Sequence, residues 1–155
     1  MEALQSQFVR TRGGPLKIGE DIIVQQDIID INRGVVDITF LSESGPVLCG
    51  LALKSAKGYI VLSDGSKRRL VFIWNQPNLP ERTTHEVRCP DGQLRIWNIY
   101  QVNKAELTKA DYWTNNAGMV VELIGENQRK YSCSDGIGPF DKTDMVAVVH
   151  WRELS

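Results

Sequence analysis

The sequence predicts a mainly β protein, an antiparallel barrel or sandwich of about eight to ten short strands with one short helix. Three observations lead to this fold class. Apolar residues recur with a period of two in most segments, and tight-turn signals separate these segments at short intervals. A single segment combines helix-favouring residues with a helix start signal.

Alternation of apolar and polar residues marks the strands. In VVDITFL, Val36, Ile38 and Phe40 share a face, as side chains two residues apart do on a strand. YIVLS at 59–63 and LVFIW at 70–74 are apolar on both faces, which predicts strands that are buried on both sides. Further strands are predicted within VLCGLAL (47–53), LRIWNIYQV (94–102), MVVELI (119–124), RKYSCS (129–134) and VAVVHW (146–151).

Two turn signals are specific. Asp64 and Gly65 lie between two apolar strands and predict a tight hairpin, because both central residues of such a turn must tolerate positive φ. In CPDGQ, Pro90 and Gly92 occupy the second and fourth turn positions, which predicts a type I turn followed by a bulge. Turns at this spacing are typical of antiparallel β proteins.

The segment NKAELTKADYW predicts the one helix, at about 104–113. Asn103 can cap its first turn and Glu106 lies three residues further on, a variant of the capping box. Leu107 and Ala110 would contribute to its buried stripe. The N-terminal segment EDIIVQQDIIDI fits two short strands better than one regular helix, because its apolar pairs do not follow helical spacing.

Length and composition predict a single β-rich domain over residues 1–155. Of the 155 residues, 42% are hydrophobic and 24% are charged, both close to the averages of globular proteins. A chain of this length buries roughly two-thirds of its unfolded surface and needs no metal or disulfide to hold a core. We therefore expect a compact soluble protein without a cofactor.

Charge and cysteine usage restrict the location and the partners. A net charge of −1 disfavours a dedicated nucleic-acid or membrane-surface protein, because both classes usually carry a large basic excess. The first residues lack a signal-peptide pattern, and no stretch approaches the roughly 20 apolar residues of a membrane span. Cys49, Cys89 and Cys133 lack metal or disulfide spacing. These features predict a cytoplasmic protein with free thiols.

The charges are unevenly distributed along the chain. Residues 51–100 carry eight basic and four acidic side chains, whereas acidic residues are in excess on both sides of this segment. A basic triplet at 67–69 follows the predicted hairpin turn, either as part of a binding surface or as a solvated turn that discourages edge pairing. In LRIWNIYQV an arginine, a tryptophan and a glutamine share one face. The candidate binding residues are Lys67, Arg68, Arg69, Arg95, Trp97 and Gln101.

The spacing of potential metal ligands predicts no metal site. His85 and His150 are the two histidines of the chain. His85 and Cys89 would point the same way on a strand, but roughly 13 Å apart, which is too far for one ion. The loop SDGIGPFDKTD, at 134–144, holds three aspartates but departs from the calcium-loop pattern. We expect it and WNQPNLPERTTHE, at 74–86, to be solvated loops and the candidates for functional loops.

The sequence lacks the signatures of known catalytic classes. There is no G-x-S-x-G motif, no cysteine-enzyme signature and no phosphate-binding glycine loop in a strand-to-helix context. An enzyme would have to use His85 or His150 as acid or base, beside a carboxylate or one of Cys89 and Cys133. We therefore assign no catalytic residue.

These features favour a small non-catalytic protein that recognises another protein, as inhibitors and toxin-neutralising proteins do. A first alternative is a β-barrel that holds a small molecule or sugar against Trp97, Trp113 or Tyr100. A second alternative is a small enzyme with a histidine acid or base. Nucleic-acid and membrane partners are disfavoured. An aromatic-lined cavity would favour the ligand-binding barrel, and a filled core would favour a protein partner.

Overall fold

The computed structural model describes residues 2–42, 47–76, 82–102 and 107–154. Within them the chain forms one helix and thirteen strands, so the strands are more numerous than the eight to ten that the sequence predicts. The elements are α1 (Leu4–Arg10), β1 (Leu16–Ile18), β2 (Asp21–Val24), β3 (Asp27–Asp30), β4 (Arg33–Phe40), β5 (Leu48–Lys54), β6 (Tyr59–Val61), β7 (Lys67–Arg68), β8 (Leu70–Trp74), β9 (Arg82–Arg88), β10 (Gln93–Gln101), β11 (Gly118–Gly125), β12 (Gln128–Ser134) and β13 (Met145–Glu153).

The strands form two antiparallel sheets that pack as a sandwich. The large sheet has nine strands in the order β1-β2-β11-β12-β13-β4-β9-β6-β7, and the small sheet has four in the order β3-β10-β5-β8. Every strand pairing between described residues is antiparallel. The predicted class, a mainly β antiparallel protein, is confirmed in its sandwich form, and neither sheet closes into a barrel.

Four chain segments pass through both sheets at a shared corner. β3 continues into β4, β5 into β6, β7 into β8 and β9 into β10. The order of their halves in the small sheet, β3-β10-β5-β8, matches the order β4-β9-β6-β7 at one end of the large sheet. The small sheet is therefore the end of the large sheet folded over, as in sandwiches whose corners are made by strands that change sheets.

Close backbone contact holds this corner together. The buried Ser55 hydroxyl donates a hydrogen bond to the Arg88 carbonyl over 2.7 Å, and the Ser55 amide donates to the Arg69 carbonyl over 2.8 Å. Gly58 lies so close to the Arg88 carbonyl that a Cβ atom on residue 58 would be 1.9 Å from the carbonyl oxygen. Glycine is required at this position because the neighbouring atom is backbone and has no room to move.

Both predicted turns form, with different consequences. Gly65 donates to the Leu62 carbonyl over 2.9 Å and Gly92 to the Cys89 carbonyl over 2.8 Å, each with positive φ at the glycine. The first turn closes the β6–β7 hairpin as predicted, although Asp64 does not adopt positive φ. The second turn joins β9 to β10 in different sheets and so forms part of the corner.

The helix is not where the sequence predicts it. The residues 103–106 of the predicted helix lie outside the described residues, and 107–113 form a turn followed by an isolated bridge. In that bridge Tyr100 and Asp111 exchange backbone hydrogen bonds of 3.0 and 2.9 Å, and Trp113 has a φ of 58°. Pairing with β10 satisfies this backbone in place of helical bonds. The two short strands predicted in the N-terminal segment are confirmed as β2 and β3.

The core lies between the sheets, and a second cluster lies beneath α1. The first contains buried side chains from both sheets, including Leu51, Ile96 and Tyr131, while Leu4 and Phe8 of α1 pack against β1 and β2. The sequence predicts that β6 and β8 are strands buried on both sides. In the structure β6 is the second-last strand of the large sheet, and β8 is an edge strand of the small sheet. No helix formed by the described residues is long and apolar enough to cross a membrane.

The corner generates a prediction for stability. Gly58→Ala places a Cβ against the Arg88 carbonyl, so we expect the free energy of unfolding in urea to fall by at least about 2 kcal/mol. Gly125→Ala is the matched control, because the nearest atom to its Cβ is the flexible Gln128 side chain at 3.2 Å. The control should stay within about 0.5 kcal/mol. Equal effects of the two variants would contradict the role of the close contact.

Candidate functional site

The edge strand β8 presents unpaired backbone groups. β8 pairs on one side with β5 in the register Leu70 to Lys54 and Trp74 to Gly50. Because the amide of Asn75 bonds to the carbonyl of Cys49, the odd-numbered residues of β8 are those that bond to β5. The N–H and C=O groups of the even-numbered residues therefore point outward, and no other described strand pairs with them. These residues are Leu70, Phe72 and Trp74.

A groove follows this edge along its whole length. It consists of two adjoining parts of about 610 and 560 Å³, which share Leu62, Phe72 and Leu107 as walls. Leu62 belongs to the β6–β7 hairpin on one side, and Leu107 belongs to the segment that covers the small sheet on the other. The larger part is lined in addition by Ser63, Ile73, Trp74, Gln76, Arg82, Thr83, Thr84 and His85, and the smaller part by Arg68, Leu70, Val71 and Thr108.

The larger part of the groove, here called the wide end, is mostly apolar. Phe72 and Trp74 meet edge to face with ring centroids 6.2 Å apart, and the Trp74 indole N–H donates to the Leu107 carbonyl over 2.8 Å. His85 Nε2 lies 2.8 Å from the Thr83 hydroxyl. Burial lowers the pKa of His85, against a smaller opposing effect of Asp37, so its neutral form is favoured.

The opposite end of the groove, here called the basic end, carries the predicted basic triplet. Lys67, Arg68 and Arg69 are all exposed. Arg68 lines the groove, whereas the Lys67 ammonium lies 4.5 Å from the centroid of the Tyr59 ring. None of the salt bridges between described residues involves the triplet. The prediction that these residues bind a partner is untested, and Arg68 is the member of the triplet that lines the groove among the described residues.

The predicted mixed face on β10 is covered by the chain itself. Trp97 is 3% exposed and Gln101 is 8% exposed. Trp97 packs against Tyr112 and Trp113 with ring-centroid distances of 5.5 and 5.4 Å. The side-chain amide of Gln101 donates a hydrogen bond to the Lys109 carbonyl over 2.8 Å. The aromatic residues that were candidates for a ligand cavity thus fill a packed cluster.

Arg95 remains partly accessible and completes a basic row. Antiparallel register places Arg95 opposite Lys54, and Lys54 opposite Leu70 at the start of β8. Side chains in register lie on the same face of a sheet, with strands about 4.8 Å apart. Lys54 and Arg95 therefore extend the positive charge of the basic end across the small sheet.

Sequence reasoning missed the groove residues. Leu62, Leu107 and His85 come from separate segments, and no local pattern connects them. The signal that could have located the edge is LVFIW, whose apolar character on both faces was interpreted as burial within a sheet. In the fold, one side of β8 packs on the core and the other lines the groove beneath Leu107.

The two histidines lie in different surroundings, His85 in the wide end of the groove and His150 on the large sheet. His150 Nδ1 is 3.8 Å from an Asp37 carboxylate oxygen, on the exposed face of the large sheet. Partial burial opposes ionisation of Asp37, but hydrogen bonds from Thr84 and Arg82 outweigh it and lower the Asp37 pKa. The shallow cavity around His150, of about 330 Å³, is lined by no serine or cysteine among the described residues.

The three thiols are buried and form no disulfide. Burial raises the pKa of the Cys89 and Cys133 thiols. A buried thiol in apolar surroundings reacts slowly because the thiolate is the nucleophile. In the described ranges, no three His, Cys, Asp or Glu side chains are placed to hold a metal ion.

The loop at 134–144 is tied to the core at Ser134 and is closed on itself by hydrogen bonds of its aspartates. The buried Asn98 amide donates to the Ser134 carbonyl over 2.8 Å, and the Asp135 amide donates to the Asp144 carboxylate over 3.1 Å. Asp141 accepts hydrogen bonds from Thr143. Burial, reinforced by the nearby Asp135 and Asp141, raises the pKa of Asp144 to about 6. The sequence predicts the other candidate loop at 74–86. Its residues 77–81 lie outside the described residues, and the prediction is wrong at its ends, because Trp74 belongs to β8 and residues 82–86 pair with β4 as part of β9.

No protein-family model matches the chain, and searches of curated proteins and of solved structures found no significant match.

The raised pKa of Asp144 predicts a pH dependence of stability. Between about pH 4 and about pH 6 the folded protein holds a proton on Asp144 that the unfolded chain has lost, so this group's stabilising effect is present at low pH and lost as the pH rises through about 6. Asp144→Asn keeps an acceptor for the Asp135 amide without the ionisation. Urea unfolding across this range should show the variant gaining stability relative to wild type as the pH rises; a constant difference would refute the assignment.

Proposed function

We propose that this protein recognises an extended segment of another protein, which adds as a strand to the free edge of β8. The single observation that supports this function is the coincidence of the groove with the outward N–H and C=O groups of Leu70, Phe72 and Trp74. Strand addition to a sheet edge is a recurring mode of peptide recognition, in which main-chain hydrogen bonds give affinity and flanking pockets give specificity.

The chemistry of the edge supports this mode of binding. Exposed edges are usually protected by charge, proline or a bulge. β8 has none of these between Leu70 and Trp74, and its backbone instead lies at the floor of an apolar groove. Each main-chain hydrogen bond to a partner would contribute roughly 0.5–1.5 kcal/mol, and each apolar side chain buried against Leu62 or Leu107 would add roughly 1.5–3 kcal/mol.

The proposed role agrees with the class of protein that the sequence favours, a small inhibitor or toxin-neutralising protein. Such a protein needs a rigid scaffold and one selective surface rather than a reactive centre. A cytoplasmic location is also part of the proposal, and three buried cysteines that form no disulfide support it because they are compatible with a reducing compartment.

Blocking the edge provides the test. Leu70→Pro removes an N–H that points away from β5, so the β5–β8 ladder keeps its bonds while a partner loses one. We expect that the wild-type protein selects binders from a displayed library of random ten-residue peptides. Fluorescence anisotropy should show that the dissociation constant of these peptides is about two- to tenfold higher for Leu70→Pro than for wild type.

Leu70→Ala is the matched control, since it shortens the same side chain and keeps the N–H. Both variants should retain the wild-type circular dichroism spectrum and unfolding midpoint within a few degrees. If the library gives no binder, or if the binders do not distinguish Leu70→Pro from Leu70→Ala, strand addition at β8 is wrong.

A small-molecule ligand is the second candidate function, favoured by the size of the wide end. Its volume of about 610 Å³ falls within the range of small-molecule sites, roughly 300–1,000 Å³, and its walls are aromatic and aliphatic with a few polar groups. The ligand would contact Phe72, Trp74 and His85, not the buried Trp97 and Tyr100 that the sequence favoured for this alternative.

Tryptophan fluorescence separates the two candidates. A metabolite that enters the wide end should shift the emission of wild-type protein and leave that of Trp74→Phe unchanged, because Trp74 lines the groove. Trp151→Phe is the control, since Trp151 contacts Arg129 on the large sheet and should leave the shift intact. A metabolite panel that shifts no emission would remove the small-molecule candidate.

A further inference from the structure

We infer that the segment bound by β8 runs antiparallel to it and carries a large apolar or aromatic residue near its N-terminal end and acidic residues about six positions later. This inference rests on the proposed strand addition and gives it a sequence class. The two ends of the groove differ in polarity, so they require different side chains from a bound strand.

The direction follows from the pairing rules of this fold. Every described neighbour of every strand is antiparallel, and antiparallel ladders are slightly more stable per residue than parallel ones. β8 runs from the basic end at Leu70 to the wide end at Trp74. An antiparallel segment therefore begins beside Trp74 and ends towards Arg68, at most about 20 Å away at about 3.4 Å per residue because the chain bends between β7 and β8.

The wide end requires an uncharged side chain. Leu62, Ile73 and Leu107 provide aliphatic walls, and His85 lies half-buried beside Thr83 with a lowered pKa that favours its neutral form. The cation at its mouth, Arg82, already pairs with Asp37 at 3.0 Å on the outer face of the large sheet. A charge placed here would lose its hydration without a partner, whereas a phenylalanine or leucine would gain from burial.

The basic end requires negative charge. Lys67, Arg68 and Arg69 are exposed, and Lys54 lies in register with Leu70 beside them. None of these four cations is within 4.0 Å of an acidic group in the part of the chain that the structure describes.

The carboxylate of the turn is partly engaged within the turn. Asp64 Oδ1 accepts hydrogen bonds from the backbone N–H and the hydroxyl of Ser66, over 2.9 and 2.6 Å. These bonds, together with a weaker effect of Arg68, lower the pKa of Asp64. Acidic residues of a bound segment would therefore share Arg68 with Asp64 and add negative charge beside Lys54 and the rest of the basic triplet.

Synthetic peptides test the inference directly. The first is a ten-residue fluorescein-labelled peptide with Phe at its second position, Asp at its seventh to ninth positions and Thr elsewhere. The second has Lys in place of each Asp, and the third has the order of the first reversed. By fluorescence anisotropy we expect the first peptide to bind the full chain about tenfold more tightly than either of the others.

Charge reversal at the basic end provides the matched variants. Arg68→Glu should reduce binding of the first peptide by about fivefold and improve binding of the lysine peptide. Lys17 is an exposed lysine on β1, the edge strand of the large sheet furthest from β7. Lys17→Glu should change the affinity for neither the first peptide nor the lysine peptide beyond the effect of net charge. Circular dichroism checks that both variants are folded.

The outcomes separate this inference from the function on which it rests. The aspartate and lysine peptides could bind equally well and both lose affinity for Leu70→Pro. That result would overturn the inferred sequence class and leave strand addition intact. Binding of the reversed peptide equal to the first would overturn the inferred direction alone. If no peptide binds in a manner sensitive to Leu70→Pro, both the inference and the proposed function are wrong.

Discussion

The close packing of backbone at the corner between the two sheets determines the rest of this structure. Four chain segments must bend at the same place, and the Ser55–Arg88 hydrogen bond with the side-chain-free Gly58 lets them do so in contact. After the bend, β6 pairs with β9 only at Ile60 and Tyr59 before its hairpin turns away. The first part of β9, which pairs with β4, and β8, which pairs with β5, are thus each left without a described strand on their other side, and both line the groove.

The aromatic surplus of the chain is used mainly to cover the small sheet. Trp97 packs with Tyr112 and Trp113 on the outer face of this sheet. This face is therefore covered by side chains rather than exposed to solvent. The same covering segment supplies Leu107 as a wall of the groove and the carbonyl that binds Trp74. The segment that covers the outer face of the small sheet therefore also forms one wall of the groove. The candidate binding surface lies at the β8 edge of this sheet and not on its face.

The sequence was sufficient for features that depend on neighbouring residues. The two-residue period, the two turns and the pair of strands at β2 and β3 are local, because side-chain alternation and glycine φ are set within a few residues. The helix at about 104–113 failed because Asp111 pairs with Tyr100, a tertiary contact that overrides propensity. The groove depends on which strands become neighbours, which periodicity does not encode. LVFIW shows the limit well, since an edge strand in an apolar groove and a central strand have the same pattern.

An unprotected edge also raises the question of why this protein should not pair with itself. Antiparallel pairing of two β8 edges would place Arg68 of one copy against the wide end of the other, where Leu62, Ile73 and Leu107 offer no anion. Burying that guanidinium without a partner would cost more than the few hydrogen bonds of the shared ladder provide. The polarity that favours an acidic and apolar segment therefore opposes self-association at the same edge.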